Sequence, residues 1–356
     1  IDARNGAFGI VSKELDGAIV TNDFWYFEID EAVIKKELFL ELTSTSWFDD
    51  ICKRGSDGTT QRIRLQKDKF FSQEINLPLP DEQEKLLLKS KIIKQDQTLL
   101  RHQIVAQQEM VTNLKQSILQ EAIQGKLTED WRKENPDVEP ASELLKRIRA
   151  EKEQLVKDKK IKKEKPLSPI ADEKIPFELP EGWVWCRLGE MIVSSENLNI
   201  HKELSSDELI NYVDIDAIDN KIHEIREPKI FPVNQLSSRA RRVLKKGWIM
   251  YSLVRPYLHN LTIIKYDREN FIGSTGFAVF DCLLTENKYV FWLLLTKYIE
   301  EIYLGYMDGF NSPSITHDQF KSTIIPIPPL YEQKAIVRKV EILIQKCQSL
   351  EEEIGK

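Results

Sequence analysis

The chain has little of what most catalytic and membrane chemistries require. Its 356 residues include only 14 glycines, and no stretch fits GxxxxGK(S/T) or GxGxxG. Loops of that kind, which cradle phosphates ahead of a helix, are therefore excluded. The four cysteines, Cys52, Cys186, Cys282 and Cys347, stand alone, without a CxxC pair or a Cys/His cluster. Neither a zinc site nor a disulfide framework is indicated, and a reducing, cytoplasmic setting is expected. Apolar runs such as residues 289–295 are too short to span a bilayer, and no secretory signal is visible. Excess positive charge is missing too. The net charge is −6, so any contact with nucleic acid must come from local patches.

What is present is a duplication. Asp57-Gly58-Thr59-Thr60, then Phe70, then Leu77-Pro78-Leu79-Pro80-Asp81-Glu82-Gln83 returns about 250 positions later. The second copy is Asp308-Gly309-Phe310-Asn311, then Phe320, then Pro326-Ile327-Pro328-Pro329-Leu330-Tyr331-Glu332-Gln333. Upstream, residues 273–280 align with residues 20–27, and Ile263 falls opposite Ile10, so the offset drifts from 253 to 250. A long-period repeat fixes architecture. It implies two similar globular domains and two similar helices, related by a pseudo-twofold. The second domain starts near Ile175, whereas Ile1 lies opposite Val254, and the second helix stops at Lys356, opposite Ala106. The expectation is a fragment, with the first domain missing its N-terminal part and the C-terminal helix incomplete.

The expected division is a first domain over 1–81, a central helix over 82–127, a charged connector over 128–174, a second domain over 175–330 and a C-terminal helix over 331–356. The class is α/β or α+β, since short strand-like runs (24–29, 210–215, 248–254, 261–265, 277–280) mix with helices at 34–42 and 288–303. The central helix, about 60 Å long at 1.5 Å per residue, carries Leu86, Ile93, Leu100, Ile104, Val111, Leu114 and Ile118, with Gly125 as its C-cap. The C-terminal helix carries Ile336, Val340, Leu343, Cys347, Leu350 and Ile354, a heptad seam. Two such seams are expected to pair as an antiparallel coiled coil that separates the domains. The alternative is that each seam buries against its own domain. In the connector, Ser142 can N-cap a helix reaching about Lys163. Its lysines and arginines form either a solvated face or a DNA-backbone contact.

These residues resemble the DNA-specificity subunit of type I restriction–modification systems. The resemblance is carried by Leu179-Pro180-Glu181-Gly182-Trp183, Val254-Arg255-Pro256-Tyr257-Leu258-His259-Asn260, Ser274-Thr275-Gly276-Phe277, the Pro326–Gln333 segment with its heptad helix, and residues 114–127 as the family's central region. It covers nearly the whole chain. It implies two target-recognition domains, each reading one half of a gapped sequence in double-stranded DNA. It also implies helices that set the gap and dock two methyltransferase subunits, which restriction subunits join. Adenine methylation and ATP-dependent cleavage would belong to those partners, with S-adenosylmethionine, ATP and Mg²⁺ bound there and none by this chain. Two departures stand out: the first recognition domain is incomplete, and its Leu-Pro segment lacks a counterpart to Pro328-Pro329.

No catalytic or metal-binding residue is assigned. The Asn/Asp-Pro-Pro-aromatic motif of adenine methyltransferases is absent, because Pro328-Pro329 follows Ile327, and Asp214, Asp216 and Asp219 read as a solvated edge. For DNA, Arg239, Arg241 and Arg242 with Lys245 and Lys246 are the densest basic cluster, expected in a loop or short helix before a strand. Arg255, Tyr257, His259 and Asn260 either contact DNA or form a structural corner. Asn311 and Ser312 (with Ser314) and Thr60 lie in short polar loops suited to hydrogen bonding or to turn-making. Arg4, Asn5, Lys53 and Arg54 are the first-domain candidates. The helices, with Leu86, Ile93, Leu100, Ile104, Ile336, Val340, Leu343 and Leu350, are the packing and partner surface. Glu82-Gln83 and Glu332-Gln333 mark partner contacts or helix starts favoured by the macrodipole. Two other readings remain open: a protein-only coiled-coil scaffold, and the recognition arm of a fused restriction–methylation enzyme.

Overall fold

A computed structural model describes residues 8–21, 24–57, 64–171, 173, 175–307 and 313–355. The chain divides into two units, residues 1–106 and 107–356. Among the described residues no helix is long and apolar enough to cross a membrane.

The first unit contains α1 (Lys36–Thr43), α2 (Ser46–Arg54), the antiparallel pair β1 (Ser56–Asp57) and β2 (Arg64–Leu65), α3 (Lys67–Phe71) and the start of α4 (Pro80–Ile123). The Thr45 side chain caps α2 by accepting from Phe48 N at 3.3 Å. Phe48, Ile51 and Cys52 are buried, and Phe8, Phe39, Leu65, Phe70 and Ile75 pack around them. Residues 24–29, aromatic and strand-prone, form no strand here. Their repeat counterpart in the second unit is paired on both sides, and no equivalent partner strand is described in the first unit. Propensity alone does not make a strand without a ladder to join.

In the second unit α4 ends at Gly125, whose φ of 73° is left-handed. A Cβ there would meet Pro180 Cγ at 2.6 Å, so glycine is required by conformation and by space. Next come α5 (Glu129–Glu134) and α6 (Ala141–Lys157). The latter is capped by Pro140, not Ser142, and stops short of Lys163. Ala141, Leu144, Leu145 and Ile148 of α6 sit in the main core. The elements β3 (Val184–Arg187), α7 (Leu188–Met191), β4 (Ile192–Ser194), α8 (Ile200–Glu203), β5 (Leu209–Val213), β6 (Ile218–Asp219), β7 (Glu224–Ile225), β8 (Lys229–Pro232), β9 (Ala240–Val243), β10 (Ile249–Ser252), β11 (Leu261–Ile263), β12 (Phe271–Ser274) and β13 (Phe277–Cys282) follow.

One four-stranded sheet has the order β11-β10-β13-β4 and another β8-β5-β12-β9, with β12 and β5 parallel. The first sheet is buried on both faces, and strand alternation sorts its side chains between two cores. Ile249, Tyr251, Ala278 and Phe280 face the core shared with the helices, while Met250, Phe277 and Val279 face the other.

The helix expected over 288–303 is two helices, α9 (Asn287–Leu293) and α10 (Lys297–Tyr306). Buried Thr296 breaks it by capping α10 through Ile299 N at 3.4 Å. Then come α11 (His317–Ser322), β14 (Ile324–Ile327), which pairs with β3, and α12 (Leu330–Ile354).

The duplication is visible in hydrogen bonds. Gln83 Oε1 accepts from Lys35 N at 2.9 Å, ahead of α1, and its Nε2 donates to the carbonyls of Val33 and Pro78 at 2.8 and 3.0 Å. Gln333 Oε1 accepts from Glu286 N at 2.9 Å, ahead of α9, and its Nε2 donates to Pro328 O at 2.9 Å. Both glutamines are buried. Each domain is thus clasped to its own long helix in the same way.

Within the second unit, α12 runs antiparallel to the end of α4. Lys115 Nζ meets Glu351 Oε2 at 2.6 Å, Lys339 Nζ donates to Leu127 O at 2.8 Å, and Thr128 Oγ1 donates to Glu332 Oε1 at 2.6 Å. Val111, Ile118, Leu119, Ala122 and Ile123 share one core with Ile336, Val340, Ile344 and Cys347. This antiparallel seam runs over residues 111–123 of α4.

Candidate nucleic-acid interface

The basic cluster lies differently from the sequence expectation. Residues 240–243 are not a loop or short helix but strand β9, paired antiparallel with β12. Period-two geometry therefore sends Arg241 and Arg242 to opposite faces. Arg241 is half-buried, its Nε donating to Ser238 O at 2.7 Å. Arg242 is only 8% exposed and donates to His317 Nε2, so its side chain is turned inward. Arg239 is exposed just before the strand. Lys245, also exposed, lies past the strand's other end, with Nζ 5.2 Å from the Trp248 ring and 4.0 Å from Glu196 Oε1.

Arg239 meets the turn that joins β12 to β13, since Thr275 N donates to Arg239 O at 2.8 Å. Beside that turn runs the segment after β10. Leu253 N donates to Gly276 O at 2.8 Å, Arg255 N to Pro313 O at 2.7 Å and Ile315 N to Leu253 O at 2.9 Å. Arg255 and Tyr257 are exposed, while His259 and Asn260 are half-buried. Arg255 and His259 have φ of 49° and 52°, a left-handed conformation that non-glycine residues adopt at a cost. His259 Nε2 lies 3.4 Å from Glu300 Oε2. Burial lowers the His259 pKa, and Glu300 opposes that shift. Backbone hydrogen bonds thus link Arg239 to the Ser274–Gly276 turn and that turn to the segment leading into Arg255 and Tyr257, with Lys245 past the far end of β9.

In the first unit Lys53 and Arg54 are exposed in the last turn of α2 and bond to Asp50. Arg4, Asn5, Thr60, Asn311 and Ser312 lie outside the described residues. The α6 charges are largely engaged locally. Arg147 bonds Glu139, Arg149 bonds Glu190, and Lys152 Nζ donates to Gly189 O and Ile192 O at 2.6 and 3.0 Å. Asp219 carries a lowered pKa through backbone hydrogen bonds, Lys221 first. No group of three or more His, Cys, Asp or Glu placed to hold a metal occurs among the described residues.

On the helices, Ile336 and Val340 are buried, Leu343 is half-buried and Leu350 exposed. Leu86, Ile93, Leu100 and Ile104 are all exposed. Sequence reasoning missed the junction at Glu332. This carboxylate is fully buried and accepts from Thr128 Oγ1 and Arg132 Nη1 on one oxygen and from Trp183 Nε1, at 2.8 Å, on the other. Its repeat partner Glu82 is exposed and accepts from Leu79 N at 3.3 Å. The macrodipole reading suits Glu82 and does not account for Glu332. The signal available was Trp183 itself, in the Leu-Pro-Glu-Gly-Trp segment, because a buried indole N–H needs an acceptor.

Residues 180–356 match the family model described as the type I restriction modification DNA specificity domain. The EcoAI specificity subunit of Escherichia coli is 35% identical over 254 residues, covering 67% of this chain and 41% of the relative. The EcoEI specificity subunit of the same organism is 32% identical over 249 residues, with the same two coverages. The chain therefore spans less than half the length of these two relatives. A solved HsdS subunit from Thermoanaerobacter tengcongensis shares 35% identity over 49% of this chain and 45% of its own, with a TM-score of 0.45. The chain belongs to the family of type I restriction–modification DNA-specificity subunits.

Proposed function

We propose that this chain reads a bipartite, gapped DNA target, one half per recognition domain, and holds methyltransferase and restriction subunits while performing no chemistry itself. S-adenosylmethionine, ATP and Mg²⁺ are then the partners' ligands. The observation that carries this reading is the duplicated glutamine clasp, in which each glutamine accepts from the N–H ahead of a helix of its domain and donates to the proline carbonyl five residues before itself. Two similar domains on two similar helices suit a target made of two halves. The exposed Arg239, Arg255 and Tyr257, with half-buried Thr275, offer side chains for phosphate and base contact in the second domain.

The test is a genome-wide map of methylated adenines in the host, with and without the gene. One gapped, two-part motif should disappear with it. Removing seven residues of α4 between Glu84 and Gly125 should shorten the gap, by about three base pairs if a heptad spans roughly 10 Å, and leave both half-sequences alone. An unchanged gap refutes the ruler. The net charge of −6 and the exposed apolar positions on α4 favour a second reading, a scaffold that binds protein alone.

A further inference from the structure

Arg242 is the most unusual charge in the second domain. It is 8% exposed, burial lowers its pKa, and no carboxylate pairs with it among the described residues. Its Nε finds no acceptor. The small cavity beside it is lined by Ser194 and Lys321 as well as by Ile192, Ala278, Phe280 and Phe320. A guanidinium left buried without a counter-charge is costly to fold, so its retention calls for a use.

Among the described residues its side chain bonds one partner, His317. Arginine only donates, so His317 Nε2 accepts, and the ring is neutral with its proton on Nδ1. The nearby Thr275 backbone favours the charged ring, but burial and then Arg242 outweigh it and hold the His317 pKa down at about 4. Thr275 N in turn donates to Arg239 O at 2.8 Å. Gly276, beside it, packs against Ile215, whose Cδ1 would lie 2.6 Å from an added Cβ and would have to shift. Its carbonyl accepts from Leu253 N, two residues before Arg255. His317 itself opens α11, held by the reciprocal Thr316–Gln319 cap. One imidazole thus joins the start of α11 to Arg242 of β9, the strand that pairs with β12 up to Ser274 and that directly follows Arg239. The Ser274–Gly276 turn links it to the Arg255 segment.

We propose that Arg242 and His317 are positioning residues for half-site reading, setting the Ser274–Gly276 turn so that Arg239 and Arg255 present a fixed edge to DNA. The inference rests on the specificity reading above. Arg242 touches no base in it; its charge, uncompensated inside the protein, also biases that edge toward phosphate.

The experiment compares methylated-adenine maps from hosts carrying the whole complex with wild-type chain, His317→Phe, Arg242→Met or His317→Gln. Glutamine keeps one donor and one acceptor; phenylalanine keeps bulk and loses both. Melting of the purified complexes is measured alongside. His317→Phe and Arg242→Met should cut methylation at the wild-type motif roughly tenfold, the size of one lost base contact. Base preference should relax in one half-site only, and His317→Gln should retain most of the wild-type pattern. The inference is overturned if His317→Phe keeps both half-sites base for base. It is equally overturned if both halves fall together in step with the melting temperature, or if His317→Gln fares as badly as His317→Phe. A wild-type strain with no gapped methylated motif would sink the specificity reading itself, and this inference with it.

Discussion

Glu332 and Glu82 occupy the same place in the repeat and have opposite fates. Glu332 is desolvated and held by Thr128, Arg132 and Trp183, so its removal leaves buried donors unpaired. Glu332→Ala should therefore destabilise the second unit by about 3–5 kcal/mol, read as a lowered melting temperature. Glu82→Ala, at an exposed helix start, should leave melting nearly unchanged. An equal response would show that the three donors do not act through the carboxylate. The repeated Glu-Gln pair was legible in the sequence, yet the roles of its members were not. A helix-start carboxylate looks the same on paper whether it faces water or an indole. Likewise Arg239, Arg241 and Arg242 form one cluster by proximity, but a strand's alternation separates them, and that strand ends before the apolar run that marks a strand most plainly in the sequence.

Among elements, the long helices were the most readable, because apolar residues recurring along one face over many turns mark a packed helix. The antiparallel expectation is met where α12 lies along the end of α4. It could not foretell that Leu86 would be 45% exposed while its counterpart Ile336 is 1% exposed, since periodicity reports a face and not what covers it. Strand-like aromatics at residues 24–27 failed for the same reason. The single helix expected near residue 288 split because a buried threonine hydroxyl satisfied a new helix start. Gly125 is the element-scale test. Its left-handed φ and the closeness of Pro180 predict that Gly125→Ala costs about 1–3 kcal/mol, measured by thermal or denaturant melting. A neutral result would mean that the turn after α4 has room to relax.

For the whole molecule, the decisive quantity is how binding responds to salt. If the complex holds DNA through phosphate contacts from the second-domain edge, the logarithm of its affinity should fall linearly with the logarithm of salt concentration. A flat response, measured on the complete complex with duplex DNA, would favour the protein-only scaffold. The acidic net charge makes this informative, because a steep slope would then have to arise from local patches. Composition had already excluded a simple basic binder. What it left open was where such a patch could lie, a matter of strand ends and turns that come together only on folding.

The glutamine clasp has a consequence for heredity. Gln83 and Gln333 grip backbone groups alone: the peptide N–H ahead of α1 or α9 and the carbonyl five residues before themselves, with Val33 O added at Gln83. Such a joint is blind to the side chains it fastens. A genetic crossover that falls at the clasp would deliver a foreign domain already fitted to its helix, so a domain can be acquired whole, by exchange, without re-evolving the attachment.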